Sequence, residues 1–591
     1  MPGFIVHIGK DNFQFAPERR NKLIRNHIDG NGYQVERRVV NKFMNDRLFI
    51  ETDKYLVVVE GVVVNNHELI AKYTTSTWLD CVVKMYEEDG DVFFNAFRGS
   101  FSGIFYDKQQ DKWLVYTNHI GDKQVFSYKT PKGYIFASEI GFIVDTCKCN
   151  NLPLSIDTTA AYSSLTFGFC IEDLTLVQET RKLTAGHYFK LENGQIEEIQ
   201  YHRFTNKPKQ MTQQEAVEGI DKYFRQAIKR AFEKDKEYGY RHLACLSGGL
   251  DSRMTVWVAH EMGYTDQLNI TYSQSGYLDF SIAQQIAVDL HHDWLFKPLD
   301  GGNCVRDIDE VSSMTYGSAN FFGLAHGLSM ERLINYDDFG IIHTGQLGDV
   351  IIGSYLKKME YGQIPKITDG AYSEELRERM ESYKFKNHYE DAELFMMYNR
   401  GFCGISQGLL TFQEHSESYS PFTDVDFFEF CYSIPLELRF GHKIYFDWIL
   451  EKYPAAAEYI WENTQTKISR KENHKMRTMN VLGYEVPHFT EFKSFSRYLK
   501  GFILRRLGIR KKGAKRKTIT LTSKFNMSPI DYWYNTNSYL RDFMNEYWRK
   551  NEHLLPSEQL GEDMCHLFKD CVLYDKFQAL SVLGAIKQIK K

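Results

Sequence analysis

The sequence predicts an α/β protein in two unlike parts, and three observations predict it. From Phe4 to Phe204 short β-rich runs alternate with turn residues, as in Tyr55 to Val64, Trp113 to Tyr116 and Tyr134 to Phe136. Beyond that point strand and helix patterns alternate: His242 to Leu246, Ser252 to Met262, Leu268 to Tyr272, Ser281 to Leu290. That order calls for a parallel sheet flanked by helices. Between the parts, Gln213 to Lys234 reads as an amphipathic helix, with Ala216, Ile220, Phe224, Ile228 and Phe232 at every fourth position.

These patterns divide the chain into a mainly β domain with a few helices, 1–205, and an α/β domain, 206–591. In the second, Phe339 to His343 is a further apolar strand, and Glu374 to Lys475 is expected to be helix-rich with aromatic faces. An insertion at 496–520 stands apart. Between Lys500 and Lys517 it has nine Lys or Arg residues and no acidic one, interleaved with Phe502, Ile503, Leu504, Leu507 and Ile509. A solvated loop is the plain expectation, and contact with an anionic or membrane surface is the alternative.

The 591 residues exceed what one hydrophobic core organises, and 43% hydrophobic with 25% charged residues is the composition of a globular chain. A net charge of -5 gives no basic field to attract nucleic acid, so none is expected as a partner. The ten cysteines are scattered, and the closest pair, Cys147 and Cys149, lacks paired zinc-site or thioredoxin-like spacing. The start at Met1 lacks the apolar region of a signal peptide, and no apolar run approaches a membrane span of roughly 18 to 20 residues. A cytoplasmic protein with reduced thiols is expected.

The strongest chemical signal is Ser247-Gly248-Gly249-Leu250-Asp251-Ser252, placed after one apolar strand and before a helix. Two glycines let the backbone approach an oxyanion, and the helix N-terminus aims N–H groups and partial positive charge at it. Serine hydroxyls add donors, and Asp251 can hold Mg2+ bridging phosphate oxygens. There is no GxxxxGK[ST] spacing and no lysine, which argues against a kinase or GTPase loop. A plain glycine turn is the bland alternative. A second site is expected at another strand end: Thr344-Gly345-Gln346-Leu347-Gly348-Asp349 follows Phe339 to His343, with Asp349 available to a metal.

The first loop resembles the pyrophosphate loop of the ATP pyrophosphatase superfamily, and the whole constellation resembles the asparagine synthetase family. There the second segment reads SGEGSDEVFGGY, matched here by Gly345, Asp349, Gly353 and Tyr355, with Gln346 and Val350 departing. The family's EVRVPFLD is matched by Glu417, Pro421, Phe422 and Asp424, with Tyr419 in place of an arginine. Lys467 corresponds to a family lysine that neutralises departing pyrophosphate, although alone it reads as a solvated surface lysine. Asp279 matches a family aspartate and reads equally well as a helix cap. The resemblance implies ATP and Mg2+. Its nucleotide set is Leu246, Ser247, Gly248, Gly249, Leu250, Asp251, Ser252, Thr344 and Gly345; its metal residues are Asp251 and Asp349; its catalytic residues are Glu417, Lys467 and Gln346.

Asn65-Asn66-His67-Glu68-Leu69, Gly99-Ser100-Phe101-Ser102-Gly103 and Phe136-Ala137-Ser138-Glu139 resemble the glutaminase domain of class II amidotransferases. The implied folds are an Ntn-hydrolase-like α+β sandwich, then an adenine nucleotide alpha hydrolase-like, Rossmann-type sheet with a helical C-terminal part. Those glutaminases begin Met-Cys-Gly, and the cysteine thiolate attacks glutamine. Here Pro2 stands in that place; Glu60 replaces the family asparagine, Trp78 an aspartate, and Arg47 remains.

The resemblance then implies an amide-forming ligase that adenylates a carboxylate and passes it to ammonia or a substrate amine without glutamine hydrolysis, as β-lactam synthetase and lasso peptide cyclases do with an amine. Gln346 has no titratable proton near neutral pH, which leaves deprotonation to Glu417, another group or the substrate. The expected partners are therefore a small or larger carboxylate and an amine or ammonia, with a homodimer one open assembly. The alternative is a noncatalytic nucleotide-binding scaffold that kept the fold.

Overall fold

The computed structural model describes residues 2–10, 13–18, 23–469, 526–556 and 558–591, with the backbone alone of the hairpin strands 478–481 and 484–487. The basic stretch Lys500 to Lys517 and the insertion around it at 496–520 lie outside the described residues.

The N-terminal strands, in chain order, are β1 (Gly3–Gly9), β2 (Ile24–Gly30), β3 (Tyr33–Val39), β4 (Leu48–Glu51), β5 (Tyr55–Val63), β6 (Gly99–Asp107), β7 (Lys112–Thr117), β8 (Phe126–Thr130), β9 (Gly133–Ala137), β10 (Thr180–Lys182), β11 (His187–Glu192) and β12 (Gln195–Gln200). They form two six-stranded sheets, ordered β10-β8-β9-β1-β3-β2 and β12-β11-β7-β6-β5-β4. Side chains alternate across each strand. Phe4 and Val6 of β1 meet Leu56 and Val58 of β5 and Trp113 and Val115 of β7 between the sheets. Ile5 turns outward to a helical layer that includes Ile143, Leu165 and Leu580, and Val57, Val59 and Val63 turn outward beneath Val82, Met85 and Phe93. Burial on both faces is why β5 reads as an almost unbroken apolar run, Tyr-Leu-Val-Val-Val-Glu-Gly-Val-Val. The result is the expected α+β sandwich.

The helix Gln213–Glu237 opens with a capping box, in which the Thr212 hydroxyl accepts from Glu215 N and the Glu215 side chain accepts from Thr212 N. It runs three residues past the sequence expectation because Lys234 is buried by ion pairs with Asp46 and Glu237. Five parallel strands follow: β13 (Arg241–Cys245), β14 (Gln267–Ser273), β15 (Asp293–Pro298), β16 (Phe339–His343) and β17 (Ser418–Tyr419), ordered β15-β14-β13-β16-β17. The chain proceeds from β13 outward to β15, then returns to β16 on the opposite side. The strand order reverses between β13 and β16, where open parallel sheets bind ligands beyond their carboxyl ends.

Two expectations are corrected in detail. The helix after β13 begins at Leu250, with Gly249 at its N-cap, so Asp251 and Ser252 belong to its first turn. The stretch after Glu374 is only partly α-helical. Between Met397 and Glu414 it coils through successive π and 3-10 turns, and regular helices return at Val425–Tyr432 and Lys443–Lys452. Among the described residues no helix is long and apolar enough to cross a membrane.

Candidate active site at the strand-order reversal

The two loops that close β13 and β16 touch. Ala244 and His343 are in register on adjacent strands, which carries Ser247–Ser252 and Thr344–Asp349 out side by side. Their approach is so close that a Cβ on Gly345 would stand 2.3 Å from Ser252 N, and one on Gly348 2.5 Å from the Asp251 carboxyl carbon. Glycine at these two positions permits the contact.

The first loop is folded around its own polar groups. Ser252 Oγ accepts from Ser247 N at 3.0 Å and lies 2.9 Å from Ser247 Oγ, which accepts from Gly249 N at 3.2 Å. Asp279 does not cap its own helix; its Oδ1 accepts from Gly248 N at 2.8 Å and ties the loop to the helix Leu278–Asp289. Asp251 accepts from Tyr445 OH at 2.8 Å and from Asp349 N at 2.9 Å. Burial, and then the neighbouring Asp349 carboxylate, push the Asp251 carboxyl well above its ordinary value. Two carboxylates confined in this way suit a hard divalent cation, whose charge relieves both burial and repulsion.

A cleft of about 390 Å³ opens over these loops. Ser247, Gly249, Leu250, Asp251, Ser252, Gly345 and Asp349 line it. Gly249 fits a cradle for phosphate, since a Cβ there would meet only Ser247 Oγ, at 3.3 Å. Leu246 and Thr344 are buried behind the cleft as supports: Leu246 O accepts from Thr271 Oγ1, and Thr344 O from Thr255 Oγ1. Gly248 also stands behind it, against Glu462 Cβ and Asp279.

The remaining wall consists of residues the sequence did not single out: His442, Tyr445, Trp461, Glu462 and Asn463. Arg253, fully buried, brings the last three here. Its guanidinium donates to the carbonyls of Gly248, Ala456, Tyr459 and Ile460, stitching the chain before Trp461 to the phosphate loop. Burial pulls the Arg253 pKa down to about 10. Arg253 directly follows Asp251-Ser252 and could have been read as part of the motif; the wall residues carry no local pattern.

The three proposed catalytic residues fall differently. Lys467 is placed on the surface, 56% exposed, with Nζ 2.6 Å from Glu458 Oε2, and it does not line the cleft. Gln346 donates its side-chain amide to Ile405 O. Glu417 precedes β17, and its carboxylate is held between two cations of the N-terminal domain, Arg47 Nη2 at 2.6 Å and Lys123 Nζ at 2.6 Å. Tyr419, where the family has arginine, donates to Asp424 Oδ2 at 2.9 Å, and Arg230 sits 3.3 Å from the same oxygen.

The residues that the resemblance assigns to a glutamine pocket bond to one another and to their own domain. Arg47 also pairs with Glu60 at 3.1 Å, and burial drives the Glu60 carboxyl up to about 7 against the pull of Arg47 and Arg37. Trp78 is buried against Phe97, its indole N–H donating to Asp46 O at 3.1 Å. Pro2, also buried, precedes β1, whose Phe4 N donates to Ser138 Oγ at 3.0 Å.

Comparison with known proteins agrees with this two-part construction. Residues 42–202 match the glutamine amidotransferase domain family and residues 219–401 the asparagine synthase family. Asparagine synthetase B [glutamine-hydrolyzing] of Escherichia coli is 21% identical over 337 residues, 52% of this chain and 54% of its own. Asparagine synthetase [glutamine-hydrolyzing] 2 of Bacillus subtilis is 26% identical over 289 residues, 45% of this chain and 38% of its own. A probable asparagine synthetase [glutamine-hydrolyzing] of Schizosaccharomyces pombe is 24% identical over 441 residues, 69% and 68% of the two chains. The alignment thus spans about half, or less, of the first two relatives. With a glutamine amidotransferase domain leading an asparagine synthase domain in one chain, the protein belongs to the asparagine synthetase family.

Proposed function

We propose that the protein is an ATP-dependent amide-forming ligase that works without hydrolysing glutamine. The observation that carries this reading is the contact of the two loops at the strand-order reversal, Gly345 against Ser252, which brings Asp251, Asp349 and the N-terminus of the helix Leu250–Glu261 to one cleft. A substrate carboxylate oxygen attacks the α-phosphorus of ATP, pyrophosphate leaves, and the resulting acyl-adenylate is opened by an amine or ammonia that expels AMP.

The chain's own groups support the first step by position. Backbone N–H groups at the helix N-terminus would donate to the phosphates, and the serine hydroxyls of the loop would add donors. Asp251 and Asp349 are the residues that would hold Mg2+, which supplies charge neutralisation for the phosphate oxygens. Lys467 can assist departing pyrophosphate only if it leaves Glu458, and nucleotide binding is the event that would draw it in.

Glutamine is not the nitrogen source in this reading. Pro2, which carries no side-chain nucleophile, stands directly before Gly3; Glu60 and Trp78 stand where the resemblance has an asparagine and an aspartate, and Arg47 is engaged by Glu60 and Glu417. The named relatives are glutamine-hydrolysing; this chain would have lost that half of the reaction.

Incubation with Mg-ATP, aspartate or other carboxylates, and ammonium should yield AMP and pyrophosphate in equal amounts. ADP as the only nucleotide product would sink the proposal.

A second reading, a noncatalytic nucleotide-binding scaffold, is favoured by one observation. Gln346 is bonded to Ile405 O and Glu417 is clamped by Arg47 and Lys123, so neither is placed as a base. Under that reading Mg-ATP binds and no carboxylate supports exchange of pyrophosphate into ATP.

A further inference from the structure

Apart from the residues that line the cleft, three metal-ligand side chains of different kinds converge. The helices Gln559–Asp570 and Leu573–Lys590 meet at Cys571, and Glu375 reaches the same point from the segment after Ser373. Cys571 Sγ lies 3.5 Å from His566 Nε2, which lies 3.8 Å from Glu375 Oε2, and all three donor atoms are within 4.8 Å of one another. A tetrahedral zinc ion, with bonds near 2.3 Å to sulfur and about 2.1 Å to nitrogen or oxygen, needs donor separations of roughly 3.4 to 3.6 Å. The surface carboxylate of Glu375 has to move little to meet that geometry.

The histidine is also backed as metal-bound histidines are. His566 Nδ1 lies 3.2 Å from Asp570 Oδ2, one helical turn on. With the proton held between Nδ1 and Asp570, the Nε2 lone pair faces Cys571 and Glu375. Lys576, whose Nζ donates to the Phe568 and Lys569 carbonyls, stands near Cys571.

The other cluster of this type, Asp235 with His242 and His343, lacks these properties. Asp235 Oδ2 accepts from both rings, at 2.8 and 2.7 Å, and all three residues are buried, so their donor atoms are used on one another.

We propose that Glu375, His566 and Cys571 form a binding site for a zinc-type divalent cation, distinct from the nucleotide cleft, with water completing the tetrahedron. Binding releases the Cys571 thiol proton to solvent as the sulfur–metal bond forms, and the ion cross-links the 375 segment to the junction of the last two helices.

The test is titration of the chelator-treated full-length chain with Co2+ and Zn2+. One equivalent of Co2+ should give a near-ultraviolet thiolate-to-cobalt absorption that Zn2+ abolishes. Cys571→Ser should remove that band, His566→Gln should weaken binding, and Asp570→Asn should weaken it by about tenfold through the lost ring partner. Zn2+ should raise the melting temperature of the parent chain and leave that of the folded Cys571→Ser variant unchanged. A band that survives in Cys571→Ser, or no thiolate band with the parent chain, overturns the proposal.

Discussion

Arg47 Nη2 donates to Glu417 Oε1 across 2.6 Å, joining residues 370 positions apart in sequence, with side chains only 1% and 3% exposed. An arginine expected in a glutamine pocket thus neutralises a glutamate expected in the synthetase half. Removing one member of a buried pair strands a charge, at a cost of about 3 to 5 kcal/mol. Arg47→Met should lower the melting temperature clearly, and Arg47→Met with Glu417→Gln should recover part of the loss. Additive losses in the double variant would show that the two residues are not coupled.

Glu60 makes stability depend on pH. Its folded pKa of about 7, raised by burial, exceeds the ordinary 4.5, so the folded chain holds this proton more tightly than the unfolded chain. The contribution is complete below pH 4.5, falls as pH rises and is gone above about 7, on the order of 3 kcal/mol in all. Glu331, raised by burial to about 8, acts in the same direction. Glu60→Gln should be more stable than the parent above pH 7 and should flatten the decline between pH 4.5 and 7 in denaturant titrations. An unchanged slope would refute the assignment.

The cleft depends on the close loop contact and on Asp251. Gly345→Ala puts a methyl group against backbone at Ser252, and Mg-ATP should then stabilise the protein far less in thermal shift. Asp251→Asn should keep the fold and lose at least tenfold in AMP formation. Wild-type turnover in Asp251→Asn would remove Asp251 from the mechanism.

The glutaminase half should release no glutamate from glutamine. Because Trp78 and Glu60 stand where the resemblance has an aspartate and an asparagine, and are held by Asp46 O and Arg47, Pro2→Cys should not restore hydrolysis even with the preceding methionine removed. Glutamate release by the parent chain would be decisive against the proposed loss.

With Glu417 clamped and Gln346 bonded to Ile405, the amine has to arrive neutral. Amide formation should therefore rise roughly tenfold per pH unit below the amine's own pKa, near 8 for an α-amino group. A plateau well below that pKa would reveal a base on the protein.

Much of this was legible in the sequence because it is local. The apolar strand, the Ser-Gly-Gly-Leu-Asp-Ser loop and the following helix are contiguous, and alternating strand and helix patterns fix a parallel sheet through short-range periodicity. Proline before Gly3 is likewise a matter of one residue. The sequence could not determine how side chains distant along the chain share charge. Whether Glu417 is free to act as a base depends on Arg47 and Lys123 from another domain, and whether Lys467 reaches the cleft depends on its ion pair with Glu458. The part of the cleft wall from Trp461 through Asn463 is brought there by a buried arginine bonding to backbone carbonyls, which any sequence supplies. Hydrogen bonds and ion pairs of this kind act through space over a few ångströms, and only the tertiary packing decides which residues come within that range.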